Sequence, residues 1–376
     1  MRVELGDLAI DRGGSVLVAN ALRDAGHVEV EGTDPELESN LRAWARARGH
    51  GADGKTVHRA TGRFDGGAEV VLPTGTADAR WGFAPRGARV EAGTAAWNWP
   101  LDDAAVVWDE DAARIYSSAA ARQWDPARDV PWDDGFRLDE PVEAAVCQVL
   151  TYLVENEVAA LSVPATFLPR IHPTFAEVVQ VLAVQVADEA RHAAVFTRRL
   201  GLRGHGPGTS GRGGQASLAS LLAEPDFLSA TFLLSVLGEG SFVELLRWLA
   251  DCAPDPVTRA VVRLAAQDEA RHVAFAVGHL RRVVERDPAW LDKLAGALRN
   301  RSAALAATSG LNEDVFDALV VVGAGSLEPD AIGRSFASVA DLVRRMDRAR
   351  QGHLARIGFP AASAIELSGW HTRNFM

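Results

Sequence analysis

Two identical pentapeptides, Asp188-Glu189-Ala190-Arg191-His192 and Asp268-Glu269-Ala270-Arg271-His272, lie 80 residues apart. Each holds Glu-x-x-His. On an α-helix, positions i and i+3 share a face, so the carboxylate and the imidazole of each copy point the same way. Their neighbours make that face internal: Val178, Leu182, Val186, Ala193 and Phe196 flank the first pair, and Val262, Ala265, Ala266, Val273 and Ala276 flank the second. Ionisable groups on an apolar stripe are costly to bury unless they are paired or bound to metal. Mixed carboxylate and imidazole donors suit iron or manganese better than zinc, for which no thiolate is at hand.

Two Glu-x-x-His helices close a dinuclear site when each of two further helices adds a carboxylate. In the helix expected at 141–163 the choices are Glu143, Glu155 and Glu157. Glu157 shares its face with Leu150, Leu153, Val154 and Leu161, whereas Glu155 falls beside Thr151, Tyr152 and Ser162, a wetter side. In the helix expected at 225–252, Glu239 aligns with Phe232, Val236, Phe242, Val243 and Leu246, whereas Glu244 sits beside Arg247 and Trp248. Glu157 and Glu239 are therefore the expected donors. Glu157 precedes Glu189 by 32 residues and Glu239 precedes Glu269 by 30, so each half is a helix hairpin supplying Glu and then Glu-x-x-His. Two such hairpins, related by a pseudo-twofold axis, place Glu157, Glu189, His192, Glu239, Glu269 and His272 around two metal ions. A surface ion-pair pattern explains a single Glu-x-x-His well. It does not explain two copies on apolar faces at matched distances from a carboxylate.

Helical periodicity supplies the elements that hold these donors: four long helices at about 141–163, 174–200, 225–252 and 255–287. A glycine-rich connector, Gly201–Gly214, joins the second to the third. Its Gly204-His205-Gly206-Pro207-Gly208 follows no strand, which makes it a flexible loop rather than a phosphate cradle. Further helices are expected at 288–307, 312–324 and 328–355, then an irregular tail, 356–376. Upstream, residues 73–140 hold Trp81, Trp97, Trp99, Trp108, Trp124 and Trp132. They are expected to form an irregular wrap packed by its indoles, with one helix over Val106–Arg122. Residues 1–72 alternate as a small α/β unit. Met1–Leu5 and His27–Glu31 are strands, Gly14–Ala25 is a helix, and Glu36–Gly49 is a second helix with Asp34 as N-cap and Pro35 in first position. Val57–Arg63 and Ala68–Leu72 are expected to pair as a hairpin around Asp65-Gly66-Gly67. The fold class is thus mainly α, with domains at 1–72, 73–140, 141–355 and a tail at 356–376.

The chain has 376 residues, 48% of them apolar, enough for a sizeable core. A net charge of −11, with both signs interspersed, argues against a general grip on nucleic acid or anionic membrane. Cys147 and Cys252 are distant and form no CxxC, so they are expected to be small buried hydrophobes. Met1–Gly14 lacks the basic and apolar regions of a signal peptide, and no uninterrupted apolar run nears the roughly 18 residues that span a bilayer. A soluble, cytoplasmic protein is expected.

The doubled Asp-Glu-x-Arg-His and its two partner glutamates resemble the ferritin-like, non-haem diiron carboxylate proteins over Glu143 to Val284. That group includes multicomponent monooxygenases, arylamine N-oxygenases, tRNA hydroxylases, small ribonucleotide reductase subunits and rubrerythrins. Arg122-Gln123-Trp124-Asp125-Pro126 resembles a segment upstream of the bundle in some of these oxygenases. The resemblance implies that Asp188 and Asp268, each preceding a ligand Glu, orient His272 and His192, and that Arg191 and Arg271 pair with acids around them. Residues 1–72 resemble the TusA/SirA sulfur-carrier fold through Asp11-Arg12-Gly13, Thr33-Asp34-Pro35 and Ala43–His50. The family's Cys-Pro pair is replaced by Gly14-Ser15-Val16, which implies that thiolate sulfur transfer is lost and that the unit serves docking, dimerisation or substrate binding.

The diiron resemblance implies two Fe ions, with Mn possible, O2 as co-substrate, and hydroxylation or N-oxygenation of a small organic molecule. Arylamine N-oxygenases carry a further His four residues before the ligand Glu of the fourth helix; here that position is Ala265, which weighs against N-oxygenation. No flavin, nicotinamide or iron–sulfur motif is present, so an external reductase or ferredoxin is the expected electron donor. A homodimer is also expected. The alternative is a ferritin-like ferroxidase or iron-binding protein without an organic substrate, although ferritins are shorter and lack a Trp-rich wrap. A radical-generating role is disfavoured because only Tyr116 and Tyr152 exist and Tyr152 leaves a different face from Glu157. A rubrerythrin-type peroxidase would need four cysteines. A purely binding role for the carrier-like unit is the remaining possibility.

Overall fold

A computed structural model describes residues 1–61, 64–67, 75–305 and 313–375, in two compact units. The first comprises Met1–Val70 and Asp78–Trp97. Its strands β1 (Arg2–Glu4), β2 (His27–Glu31), β3 (Gly51–Asp53) and β4 (Thr56–His58) form a sheet in the order β1-β2-β4-β3, parallel between β1 and β2 and antiparallel elsewhere. Helix α1 (Gly14–Asp24) makes the crossover and α2 (Leu37–Ala47) follows β2. Strand β2 buries Val28 and Val30 on alternate positions against Val18, Leu22, Leu41 and Val57. Two expectations change here. Helix α2 begins at Leu37, because Asp34 Oδ1 accepts from Glu36 N and closes a turn before the helix starts. The expected hairpin falls largely outside the described residues. What is described pairs otherwise: β4 pairs with β2 and β3, and β5 (Phe64–Gly67) pairs with β6 (Arg89–Glu91).

The second unit, Val71–Ala77 with Asn98–Met376, is helical. It begins with α3 (Ala104–Val107), α4 (Ala112–Ala121) and α5 (Pro126–Asp129). The single helix expected over Val106–Arg122 is broken at Trp108, whose backbone is extended, and Asp109 Oδ1 caps the turn by accepting from Asp111 N. The bundle itself is built from α6 (Glu140–Phe167), α7 (Ala176–Gly201), a third helix running from Phe227 to Cys252, and α11 (Pro256–Arg286). Helix α8 (Arg212–Leu222) occupies part of the stretch expected to be a bare connector and the residues after it.

The third bundle helix is not uniform. It runs as α9 (Phe227–Thr231), a π-helix over Phe232–Glu239, and α10 (Gly240–Cys252). Helices α6 and α7 pack as one hairpin, the third helix and α11 as the other, and α7 meets α11 across the centre. The core joins Leu150, Leu153, Phe196, Leu246, Val261 and Met346.

Helices α12 (Trp290–Leu305), α13 (Glu313–Ala324), α14 (Pro329–Ile357) and α15 (Ala361–Phe375) complete the chain. The tail expected to be irregular is therefore helical. Gly358, at φ 124°, ends α14, and α15 turns Ala364 and Leu367 inward. Glu140–Arg170 and Phe227–Cys252 are long and apolar enough to cross a bilayer by length and composition. They are core helices, with 61% and 83% of their apolar windows buried.

One buried ion network ties three helix ends. Arg199, near the end of α7, donates to both carboxylate oxygens of Glu143 on α6 at 2.6 and 2.9 Å and to Asp255 Oδ2 at 3.0 Å. Asp255 in turn caps α11 by accepting from Thr258 N, with Pro256 in first position. Removing one partner of a buried network strands the others in a low-dielectric interior. Arg199→Leu should cost about 3–5 kcal/mol of unfolding free energy in chemical denaturation, and Glu143→Gln less, because it leaves no bare charge behind.

Candidate metal centre

The four bundle helices bring all six expected donors into one interior volume. Glu157 comes from α6, Glu189 and His192 from α7, Glu239 from the last position of the π-helix, and Glu269 and His272 from α11. All six are between 0% and 5% exposed. Their donor atoms form two overlapping groups: Glu157, Glu189, His192 and Glu269, and Glu189, Glu239, Glu269 and His272, with ligand atoms in each within 4.8 Å of one another. Glu189 and Glu269 belong to both groups, whereas Glu157 and Glu239 each belong to one.

Both imidazoles turn the same atom inward. His192 Nδ1 lies 3.2 Å from Glu157 Oε2, 3.2 Å from Glu189 Oε2 and 3.4 Å from Glu269 Oε1. His272 Nδ1 lies 3.0 Å from Glu189 Oε1 and 3.5 Å from Glu269 Oε2. Their Nε2 atoms face outward, to Asp268 Oδ2 at 3.0 Å and Asp188 Oδ2 at 3.3 Å respectively. Each aspartate thus meets the histidine of the other pentapeptide. Arg191 bonds both Asp188 and Asp268; Arg271 bonds Asp268 and approaches Asp188 at 3.8 Å.

The arrangement fits a pair of divalent cations on the protein's own atoms. Glu189 Oε1, Glu239 Oε2, Glu269 Oε2 and His272 Nδ1 are buried without a hydrogen-bond partner. Glu189 Oε1 and His272 Nδ1 are only 3.0 Å apart, yet are not aligned for a hydrogen bond. Bare acceptors crowded in a protein interior are otherwise disfavoured. Four donor carboxylates carry four negative charges, matching two divalent ions, while the two arginines match the two aspartates. The protein alone meets this charge with protons. Burial and neighbouring Glu189 hold the Glu157 carboxyl well above its ordinary range, and burial with Glu269 does the same for Glu239. Against the effect of burial, the hydrogen bond to Glu157 and the charge of His272 hold Glu189 well below the range. Against burial too, Glu157 raises His192 and Glu189 raises His272. Metal loading should therefore release protons.

The other three carboxylates are engaged by other partners. Glu143 is spent on Arg199, Glu244 pairs with Arg247 at 2.9 Å, and Glu155 accepts from Gln215 at 3.1 Å.

Three supporting residues were not predicted for the site. Gln123 Nε2 donates to Asp188 Oδ1 at 2.8 Å, and Trp124 Nε1 donates to Asp268 Oδ2 at 2.7 Å. The Trp124 ring stacks on His192 at 6.3 Å and carries the Arg191 guanidinium 4.6 Å above it. Gln185 Nε2 donates to Glu239 Oε1 at 3.0 Å. Gln185 lies one helical turn before Glu189, so the same periodicity marks it.

A cavity of about 90 Å³ adjoins the centre, lined by Glu157, Glu239 and Glu269 and by apolar side chains that include Leu218, Leu234 and Phe242.

Residues 171–309 match the family model described as P-aminobenzoate N-oxygenase AurF. That stretch includes five of the six donors; Glu157 lies before it. Among solved structures, an R2-like ligand-binding oxidase from Sulfolobus acidocaldarius is 15% identical with a TM-score of 0.48, covering 73% of this chain and 97% of that one. A variant of an R2-like ligand-binding oxidase with an aerobically reconstituted Mn/Fe cofactor is 17% identical, TM-score 0.45, covering 62% and 94%. No curated protein matches the chain in sequence.

Metal analysis after iron-supplemented expression should find near two ions per chain. Glu189→Ala and His272→Ala should empty the site, whereas Glu155→Ala and Glu244→Ala should leave its content largely unchanged. Trp124→Phe, which removes a hydrogen bond behind His192, should weaken metal affinity roughly 10- to 100-fold in a chelator competition.

Proposed function

We propose that this chain, whose helical unit is a ferritin-like diiron-oxygenase domain, uses O2 to hydroxylate or N-oxygenate a small organic substrate. Two iron ions, with manganese admitted at one position as in the Mn/Fe form of the structural neighbour, would be held by Glu157, Glu189, His192, Glu239, Glu269 and His272. The observation that carries this reading is the pair of overlapping donor groups sharing Glu189 and Glu269. When bound, the metal pair supplies the two-electron chemistry of O2 activation that no side chain here provides.

The chain's own residues do the rest. Asp268 and Asp188 accept from the outward Nε2 atoms of His192 and His272, which keeps both Nδ1 atoms free to bind metal. Gln185 orients Glu239, leaving its Oε2 unbonded toward the centre. The apolar cavity wall excludes water from the three carboxylates it borders. Tyr152 also lines this cavity, and burial pushes its phenol well above the ordinary range, so it stays protonated there.

The matched family is described as acting on p-aminobenzoate, an amine that also bears an acid. Arg301 lines the cavity here, held by the Ser217 carbonyl and the Ser217 and Ser220 hydroxyls. Burial pulls its guanidinium down to about 9, so an acid group on the substrate would favour the charged form. Ala265, whose methyl group offers no donor atom, supports hydroxylation over N-oxygenation.

The electron donor in this reading is an external protein, the assembly a homodimer, and the compartment the cytoplasm, in keeping with the two free cysteines Cys147 and Cys252. Reduced, iron-loaded protein should consume O2 in proportion to added substrate and release an oxygenated product. O2 consumption that tracks only added ferrous iron would mean a ferroxidase instead. Arg301→Met should raise KM for a carboxylated substrate roughly 10- to 100-fold and leave KM for its uncharged analogue nearly unchanged.

A further inference from the structure

A groove of about 730 Å³ lies between α4, α10 and α11, away from the cavity. Its floor is formed by Ala266, Ala270, Ala274 and Gly278, spaced four apart on α11, so the helix backbone there stands close to the groove. Ala270 directly follows Glu269 in the chain. Arginines dominate the walls: Arg114, Arg122, Arg247, Arg263 and Arg271. The acids lining it are Asp109, Asp111 and Asp251, and the first two are already engaged by Arg282. Arg122 and Arg263 are exposed and enter no ion pair among the described residues. On a chain of net charge −11, such a cationic groove is an exception to the general field. It therefore selects what approaches here.

Its position is equally specific. Arg271 lines the groove and pairs with Asp268, and Asp268 accepts from His192, whose other nitrogen faces the donors. One ion pair and one hydrogen bond thus separate the groove from a candidate metal ligand. The cavity borders Glu157, Glu239 and Glu269 instead.

We propose that this groove is the docking site of an acidic, one-electron carrier protein that reduces the metal centre. The proposal rests on the oxygenase reading above. Inserting one oxygen atom of O2 into a substrate and releasing the other as water consumes two electrons and two protons beyond the pair taken from the substrate bond. Two docking events, each oxidising one carrier by one electron, supply the electrons, and solvent supplies the protons. Arginine side chains on both walls recognise carboxylates on the carrier, and the small-residue floor lets its tip approach α11.

The test uses iron-loaded full-length protein and a reduced acidic [2Fe–2S] ferredoxin as the probe. Titration should show binding that weakens steeply with salt. The double variant Arg122→Glu, Arg263→Glu should raise Kd for ferredoxin by about tenfold or more and flatten its salt dependence. Arg42→Glu, on the first unit, should change neither. Reduction by dithionite should proceed equally in all three proteins, which shows that the centre is intact. Unchanged ferredoxin binding in the double variant would overturn the proposal, as would wild-type protein that ignores ferredoxin. A change of oligomeric state in the groove variants would assign the groove to a second copy of the chain and equally overturn it. If dithionite-reduced protein with substrate takes up no O2, the oxygenase reading fails; the binding titration still judges the groove separately.

Discussion

Four carboxylates brought together in a protein interior set the terms for everything else in the helical unit. Each would cost several kcal/mol to bury alone, and placing them together adds mutual repulsion. Apolar packing of the four helices cannot offset that, so counter-charge has to come from inside the cluster. Two imidazoles and shared protons meet part of it in the protein alone, as the opposite displacements of Glu157 and Glu189 from their ordinary range show. A pair of divalent cations would meet all of it. The bundle is thus built around a charge deficit, and the repeat of Glu followed by Glu-x-x-His is the shortest helical means of creating it twice.

Holding that deficit in one geometry takes a second layer. Asp188 and Asp268 link each pentapeptide to the histidine of the other, so α7 and α11 are locked in register by the same residues that orient the imidazoles. Arg191 and Arg271 neutralise the aspartates, and Gln123 and Trp124 close the layer from a segment outside the bundle. Hydrogen bonds among several members make such a buried polar network rigid. The Trp-rich stretch contributes in two ways: Trp99, Trp108, Trp124 and Trp132 are buried, and the consecutive Gln123 and Trp124 reach the aspartates.

Much of this was legible in the sequence because it is periodic. Face assignments along a helix separate Glu157 from Glu155 and Glu239 from Glu244, and the structure buries the first of each pair while giving the second a polar partner. Elements whose cause is not periodic were not legible. The π-helix over Phe232–Glu239 looks like ordinary α-helix in pattern; its only trace is Gly238-Glu239-Gly240 in an apolar run. Gly240 is required there, since a Cβ would stand 2.6 Å from His353 Nδ1. The break at Trp108 is capped locally by Asp109, which also meets Arg282 across 173 positions, a contact no local window contains.

The two hairpins are nearly equivalent, and the departures from equivalence are informative. Four residues before Glu189 stands Gln185, which bonds Glu239; four residues before Glu269 stands Ala265, which bonds nothing. Glu157 rides on regular α-helix, Glu239 on the end of a π-helix. These differences distinguish the two halves of the cluster. They fall on the side where the cavity borders Glu157, Glu239 and Glu269, while the imidazoles and their aspartates lie toward Trp124 and the arginines. The cluster therefore has a carboxylate side that meets the cavity and an imidazole side that is held rigid. In the proposed oxygenase the substrate would meet the first side, whose carboxylates can change their binding mode. An electron from a carrier in the proposed groove would pass Arg271, Asp268 and His192 on the second side. In the proposed reading, electrons would enter on the imidazole side and the substrate would meet the carboxylate side of one centre.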